Sequence, residues 1–230
     1  MTQFMSNSIF FGAAISLIAY EAGLLLKRKF RMAIFNPLLI AIIAVMAVLS
    51  LLHVDYDTYN QSGQYISYLL TPATVCLAVP LYQQMELLKK NLKAVVIGIV
   101  SGVLASMVSV LLLAKLFRLS HEQYVTLLPK SITTAIGMGV SEELGGIVTI
   151  TVAVIIITGV LGNMIAETVI KLVHIEEPIA KGLALGTSAH AIGTAKAMEL
   201  GEVEGAMSSL AIAVAGLLTV VGASVFAQFM

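Results

Sequence analysis

Apolar residues in this chain come in long blocks, and the polar residues between them are few. Eight blocks can be drawn, at residues 9–26, 37–52, 65–88, 94–113, 125–144, 147–173, 179–200 and 206–229. Most approach the roughly 20 residues that an α-helix needs to cross a bilayer. The pattern therefore predicts an all-α polytopic membrane protein with about seven to eight hydrophobic segments. The blocks are not equal. Those at 94–113 and 206–229 carry no charge, whereas 65–88 contains Thr71-Pro72 and Pro80, 125–144 opens on Pro129 and Lys130, and 179–200 holds Lys181, His190, Lys196 and Glu199. These three are expected to be broken or re-entrant. The whole of 1–230 is expected to be one integral membrane domain, with N-terminal spans over about 1–60 and a repeat-bearing core over 61–230.

Composition sharpens this. Of the 230 residues 59% are hydrophobic and only 11% charged, with mean hydropathy +0.98. A soluble domain carries about 25% charged residues, so little of this chain can face water. Net charge is zero, which gives nucleic acid no electrostatic footing. Cys76 is the single cysteine, so neither a disulfide framework nor a thiolate metal site is expected. The start, MTQFMSNS, lacks a basic leader, and the N-terminus is expected to be retained. It carries no charge, while Lys27, Arg28, Lys29 and Arg31 follow the first block. Basic loops favour the cytoplasm, so the N-terminus is expected outside. Lys89, Lys90 and Lys93 agree with that orientation; Lys115, Arg118 and Lys130 disagree unless the fifth block re-enters.

The core repeats itself. A shift of 56 positions lays TTAIGMGVSEELG from Thr133 over AHAIGTAKAMELG from Ala189, with six of thirteen positions identical, and an apolar block follows each copy. TPATVCLAVP from Thr71 is a looser third relative. Internal repeats with interrupted hydrophobic segments are a transporter signature, and the interruptions point toward the binding site. In hydrocarbon every backbone polar group needs a partner, so broken helix is tolerated only inside protein or beside a wet cavity. The expected breaks are Pro72, Pro80, Gly137, Gly139 and Gly193. Unwound half-helices expose N–H groups that attract carboxylates, and Thr71, Thr74, Ser131, Thr133, Thr134, Ser188 and Thr194 would add hydroxyls. Each hydroxyl could equally bond back to its own helix.

His190 and Lys196 complete the candidate substrate site. A charge at bilayer depth should face a partner or a cavity. His190 could hold an anion, relay a proton or pack; Lys196 could bind or snorkel to the headgroups. Glu167 could pair with Lys171 one turn on. Gly98, Gly102 and Ser106 give the fourth block a small face that lets another helix approach closely. No GxSxG, HExxH or phosphate-loop motif occurs, so no enzyme activity, cofactor or metal is expected.

The stretches TPATVCLAVPLYQQ from Thr71, LLPKSITTAIGMGVSEELGG from Leu127 and IAKGLALGTSAHAIGTAKAMELGEVEGAMSS from Ile179 resemble the LrgB/CidB family. That is the antiholin-like, autolysis-modulator group related to the plastid glycolate/glycerate translocator. Ala135 departs from a Thr-Thr-Pro triplet found in relatives, which weakens a proline break there. The resemblance implies a bacterial cell-membrane carrier of small monocarboxylates such as pyruvate or glycolate. It would work with a holin-like LrgA/CidA-type partner and be linked to control of autolysis. The alternative is an antiholin-like regulator of a membrane pore without transport of its own. Expected partners are the small carboxylate, the lipid bilayer, the LrgA/CidA-type protein and further copies of the chain.

Overall fold

The computed structural model describes residues 10–230 apart from 31, 33 and 34, with the Thr74 side chain also left undescribed. The N-terminal tail, Arg31 and the Thr74 hydroxyl, all used above, lie outside the described residues. Every regular element among the described residues is helical, so the protein is all-α. Four helical stretches, Tyr56–Gln83, Leu92–Leu116, Val148–Leu172 and Glu202–Phe229, are long and apolar enough to cross a membrane, and Pro37–Leu51 is a shorter apolar helix.

The helices form two compact units, one ending at Cys76 and the other spanning Leu77–Met230. The first contains α1 (Phe11–Phe30), α2 (Pro37–Leu51), α3 (Tyr56–Ser67) and α4 (Leu70–Cys76). Asn36 starts α2 by accepting from the Leu38 and Leu39 amides at 2.9 and 3.3 Å. Pro37 follows at the first helical position, where its missing N–H costs nothing. Ser16 Oγ meets Tyr59 Oη at 2.8 Å and ties α1 to α3.

The second unit contains α5 (Ala78–Gln83), α6 (Met85–Lys90), α7 (Leu92–Leu116), α8 (His121–Leu127), α9 (Thr134–Glu143), α10 (Val148–Leu172), α11 (Pro178–Leu200), α12 (Glu202–Phe226) and a terminal 3-10 turn, Ala227–Phe229. Steps of three and four along α7 bury Val95, Ile99, Val103, Met107, Val110 and Ala114, one face of a 3.6-residue helix. Its other face exposes Ile97, Leu104 and Leu112, as α10 exposes Ile157, Leu161 and Ile165. Large apolar side chains left outward in this way suit lipid as the solvent.

Two helical hairpins position the site. Ser120 opens α8 with a capping box to Gln123. The chain then turns through residues 128–133, where Ser131 Oγ accepts from Ser106 Oγ at 3.0 Å. Ser106 lies 14 residues into α7, about 21 Å along a helix rising 1.5 Å per residue, so this tip stands at mid-depth. Helix α9 then returns. The Ile147 amide donates to Thr126 Oγ1 at 2.8 Å, and Thr151 Oγ1 donates to the Thr126 carbonyl at 2.9 Å. The start of α10 is thereby held beside the end of α8. The segment enters and leaves at the Arg118 end of the unit.

Helix α11 is the second hairpin. Its backbone leaves helical geometry at Ala189 (φ −126°, ψ 15°) and His190 (φ 43°, ψ −136°). The arms, residues 178–188 and 191–200, then lie side by side. A Cβ on Gly193 would stand 2.5 Å from the Leu185 carbonyl oxygen. Both arms pack on the first half of α12: Gly186 is pressed against Ser208, and Thr194 Oγ1 bonds Ser208 Oγ at 2.7 Å. This hairpin opens at the Lys181 end. Helix α12 runs from there to the Arg118 end, where Tyr124 Oη donates to the Phe226 carbonyl at 3.0 Å.

The offset of 56 found in the sequence holds in the fold. Moving α7 (92–116) by 56 gives the bounds of α10 (148–172). The same shift carries α8 and α9 onto the two arms of α11. The copies are inverted, because α7 runs toward the Arg118 end and α10 runs away from it. None of the three glycines expected to break a helix does so. Helix α9 passes through Gly137 and Gly139 without interruption; the break is the turn before it, where Pro129 can supply no amide. Gly193 lies inside the second arm, and the break falls at Ala189–His190. Pro72 and Pro80 sit in the first turns of α4 and α5, where proline is tolerated.

Candidate functional site

Between α7 and the first arm of α11 runs an open groove of about 980 Å³. Its α7 wall is small and hydroxylated: Gly98, Ser101, Gly102, Ala105, Ser106 and Ser109. Opposite stand Leu183, Ala184, Thr187 and Ser188, and the first hairpin tip closes the groove with Lys130 and Ser131. The small face anticipated on α7 is thus used internally. A Cβ at Gly98 would come within 2.9 Å of Leu183 Cδ1, and one at Gly102 within 2.7 Å of Thr187 Oγ1. A tighter gap beneath, lined by Ser106, Ser131, Thr187 and Thr219, lies between the first hairpin tip and the first arm of α11.

The polar chemistry of the groove is uneven. Thr187 Oγ1 donates to the Leu183 carbonyl at 2.8 Å, and Ser188 Oγ to the Ala184 carbonyl at 2.6 Å. Both hydroxyl protons are committed to their own helix. At the first tip, Lys130 Nζ donates to Ser131 Oγ at 2.8 Å, while Ser131 Oγ also accepts from Ser106. Among the described residues no carboxylate forms an ion pair with Lys130, whereas Lys171 and Lys196 are paired with glutamates. A cation held at bilayer depth costs at least about 2.5–3.5 kcal/mol on insertion scales, so a half-buried one here calls for compensation.

Of the residues expected to bind substrate, the groove gathers Ser131 and Ser188. Thr133 precedes α9 as its N-cap residue without a side-chain bond, and Thr134 begins that helix; neither lines the groove. Thr71 is exposed on α4, in the other unit. Thr194 is fully buried against Ser208 and donates to the His190 carbonyl at 3.1 Å.

His190 is 3% exposed and does not line the groove. Its Nε2 lies 3.0 Å from the Ile155 carbonyl, which can only accept, so that nitrogen carries a proton and donates. The ring rests on Gly159, where a Cβ would come within 2.7 Å of Cε1. Asn163 Nδ2 donates to the Ile192 carbonyl at 2.9 Å. Together these anchor the second tip on α10. Lys196 is 13% exposed and bridges Glu167 at 2.6 Å and Glu199 at 3.0 Å. The expected Glu167–Lys171 contact is longer, 3.8 Å.

Lys130 and Ser106 line the groove without having been among the expected substrate-binding residues. The available signal was a lysine between Pro129 and Ser131 inside an apolar block, which invited a reading as a loop charge. Among the described residues no group of His, Cys, Asp and Glu could hold a metal ion.

Comparison with known proteins identifies relatives. The LrgB-like family profile matches residues 16–229. Antiholin-like protein LrgB of Bacillus mycoides is 40% identical over 221 residues, covering 96% of both chains. The Bacillus cereus and Bacillus anthracis proteins of that name are 39% identical over the same share. No solved structure matches the chain.

Proposed function

This chain belongs to the LrgB-like family, and from that premise we propose that it is an antiholin-like protein of the bacterial cell membrane that restrains autolysis. Its molecular activity in this reading is the passage of small monocarboxylates such as pyruvate or glycolate. The antiholin-like name of the relatives supports the first part. The observation that carries the second is the inverted pair of hairpins beside a groove whose lysine has no carboxylate partner among the described residues. Inverted repeats with discontinuous helices and a site at the repeat interface are how many secondary carriers are built.

A pore regulator without transport is the competing reading, and the relatives' name favours it. A holin-like LrgA/CidA-type protein is the proposed partner in either case. Uptake of labelled pyruvate, glycolate and lactate into vesicles carrying the chain, with and without that partner, separates them. Saturable uptake that needs this chain supports the carrier. Uptake absent under every condition, alongside altered lysis in cells lacking the protein, leaves the regulator alone.

A further inference from the structure

We propose that Lys130, Ser131 and Ser106 form an oxyanion-binding centre at the first hairpin tip; this rests on the carrier reading above and names its charge-bearing site. Lys130 Nζ has three N–H bonds, and its one bond among the described residues goes to Ser131 Oγ at 2.8 Å. Two ammonium protons are therefore left without a partner among the described residues, on a side chain that lines the groove. Ser131 Oγ accepts from both Lys130 and Ser106, so its lone pairs are occupied and its own proton needs an acceptor from elsewhere. Three unspent donors and one positive charge converge on one wall. The neighbouring hydroxyls of Thr187 and Ser188 have already given their protons to backbone carbonyls. Glu177 lines the same groove but forms no ion pair with Lys130, so these donors still lack a negatively charged oxygen with several lone pairs.

A carboxylate meets that need, since each oxygen accepts more than one hydrogen bond and charge-assisted bonds are about twice as strong as neutral ones. A phosphate meets it too, so a lipid headgroup entering the open side of the groove shares the chemistry. Ser106 acts through Ser131 and positions its hydroxyl. His190 and Lys196 take no part, the first bonded to Ile155 and the second held by two glutamates.

The test uses the purified full-length chain. Equilibrium binding of labelled pyruvate is measured in detergent for wild type, Lys130→Gln, Lys130→Arg and Ser131→Ala, with Lys115→Gln as a charge control at the exposed end of α7. Retention of phosphatidylglycerol by the same proteins is measured in parallel, and uptake is then followed in vesicles with and without that lipid. Pyruvate affinity should fall at least tenfold in Lys130→Gln and several-fold in Ser131→Ala, with Lys130→Arg largely preserved and Lys115→Gln unchanged. If wild type ignores pyruvate but holds phosphatidylglycerol in a Lys130-dependent way, the oxyanion centre stands with a lipid as its ligand and the carrier reading loses its support. If uptake or binding of pyruvate persists in Lys130→Gln at the wild-type level, the centre is overturned while the carrier reading survives. If neither ligand depends on Lys130, the proposal fails outright.

Discussion

Gly139→Ala and Gly193→Ala should change stability in opposite directions, although the sequence marks both glycines as helix breakers. Alanine is favoured over glycine in a helix interior by about 0.8–1.0 kcal/mol, and both residues lie in regular helix. At Gly139 a new Cβ meets nothing within 4 Å, so the full propensity gain of about 1 kcal/mol should be expressed. At Gly193 the same Cβ would stand 2.5 Å from the Leu185 carbonyl oxygen and 2.7 Å from Ala189 Cβ. The first of these is backbone of the opposite arm and cannot swing away as a side-chain tip would. Overpacking costs of about 1–3 kcal/mol are usual, and a backbone clash belongs at the upper end. Subtracting the propensity gain leaves a net loss of about 1–2 kcal/mol. For a chain of this size that corresponds to a fall of roughly 2–8 °C in midpoint, against a rise of about 2–4 °C for Gly139→Ala. Helical circular dichroism followed on heating in detergent, with monodispersity checked by gel filtration, reads both shifts. A Gly193→Ala protein as stable as wild type would refute the packed hairpin, because separated arms would leave that Cβ in open space.

Hairpin re-entry also predicts sidedness. In a Cys76-free background, cysteines placed at Gly145 and Arg118 should be labelled from one side of the membrane, and those at Gly201 and Lys181 from the other; full crossing by either hairpin would split its pair. The side bearing Lys89, Lys90, Lys93, Lys171 and Lys181 should be cytoplasmic, which impermeant labelling of intact cells decides. His190→Ala should destabilise the protein by about 1–3 kcal/mol, the cost of a lost buried hydrogen bond, while leaving pyruvate affinity within about twofold in the binding assay; a selective loss of affinity would restore His190 to the site. Lys196→Met should cost about 1 kcal/mol in thermal unfolding, discounted because Glu167 and Glu199 are half exposed. Adding Glu167→Gln should recover part of that loss, and a strictly additive double variant would argue against the bridge.

Much of this protein was legible without coordinates. Long apolar blocks with few charges leave the chain no soluble alternative, because in lipid only internally bonded backbone survives. The 56-residue repeat was visible because the second arms of both hairpins keep Ala-Ile-Gly and Glu-Leu-Gly at matching positions. The interruptions were visible in outline, since proline, glycine and hydroxyl residues collect where helix cannot continue. Their locations and consequences were not. Gly137 and Gly193 look alike in sequence, yet both lie within regular helix, and the left-handed residue is His190, to which no intrinsic propensity points. Its conformation is imposed by the Ile155 carbonyl, by Gly159 beneath the ring and by Asn163 on Ile192, all supplied by α10. Lys196 shows the same limit: its partner Glu167 lies 29 residues away, so spacing alone favoured the nearer lysine. Lys130 completes the contrast. Its charge was plain in the sequence, but its depth followed only once α8 and α9 folded back and Ser131 met Ser106 halfway along α7. Local sequence set which segments were helical and which were broken; the packing of one inverted copy against the other decided which polar groups were satisfied and which were left facing the groove.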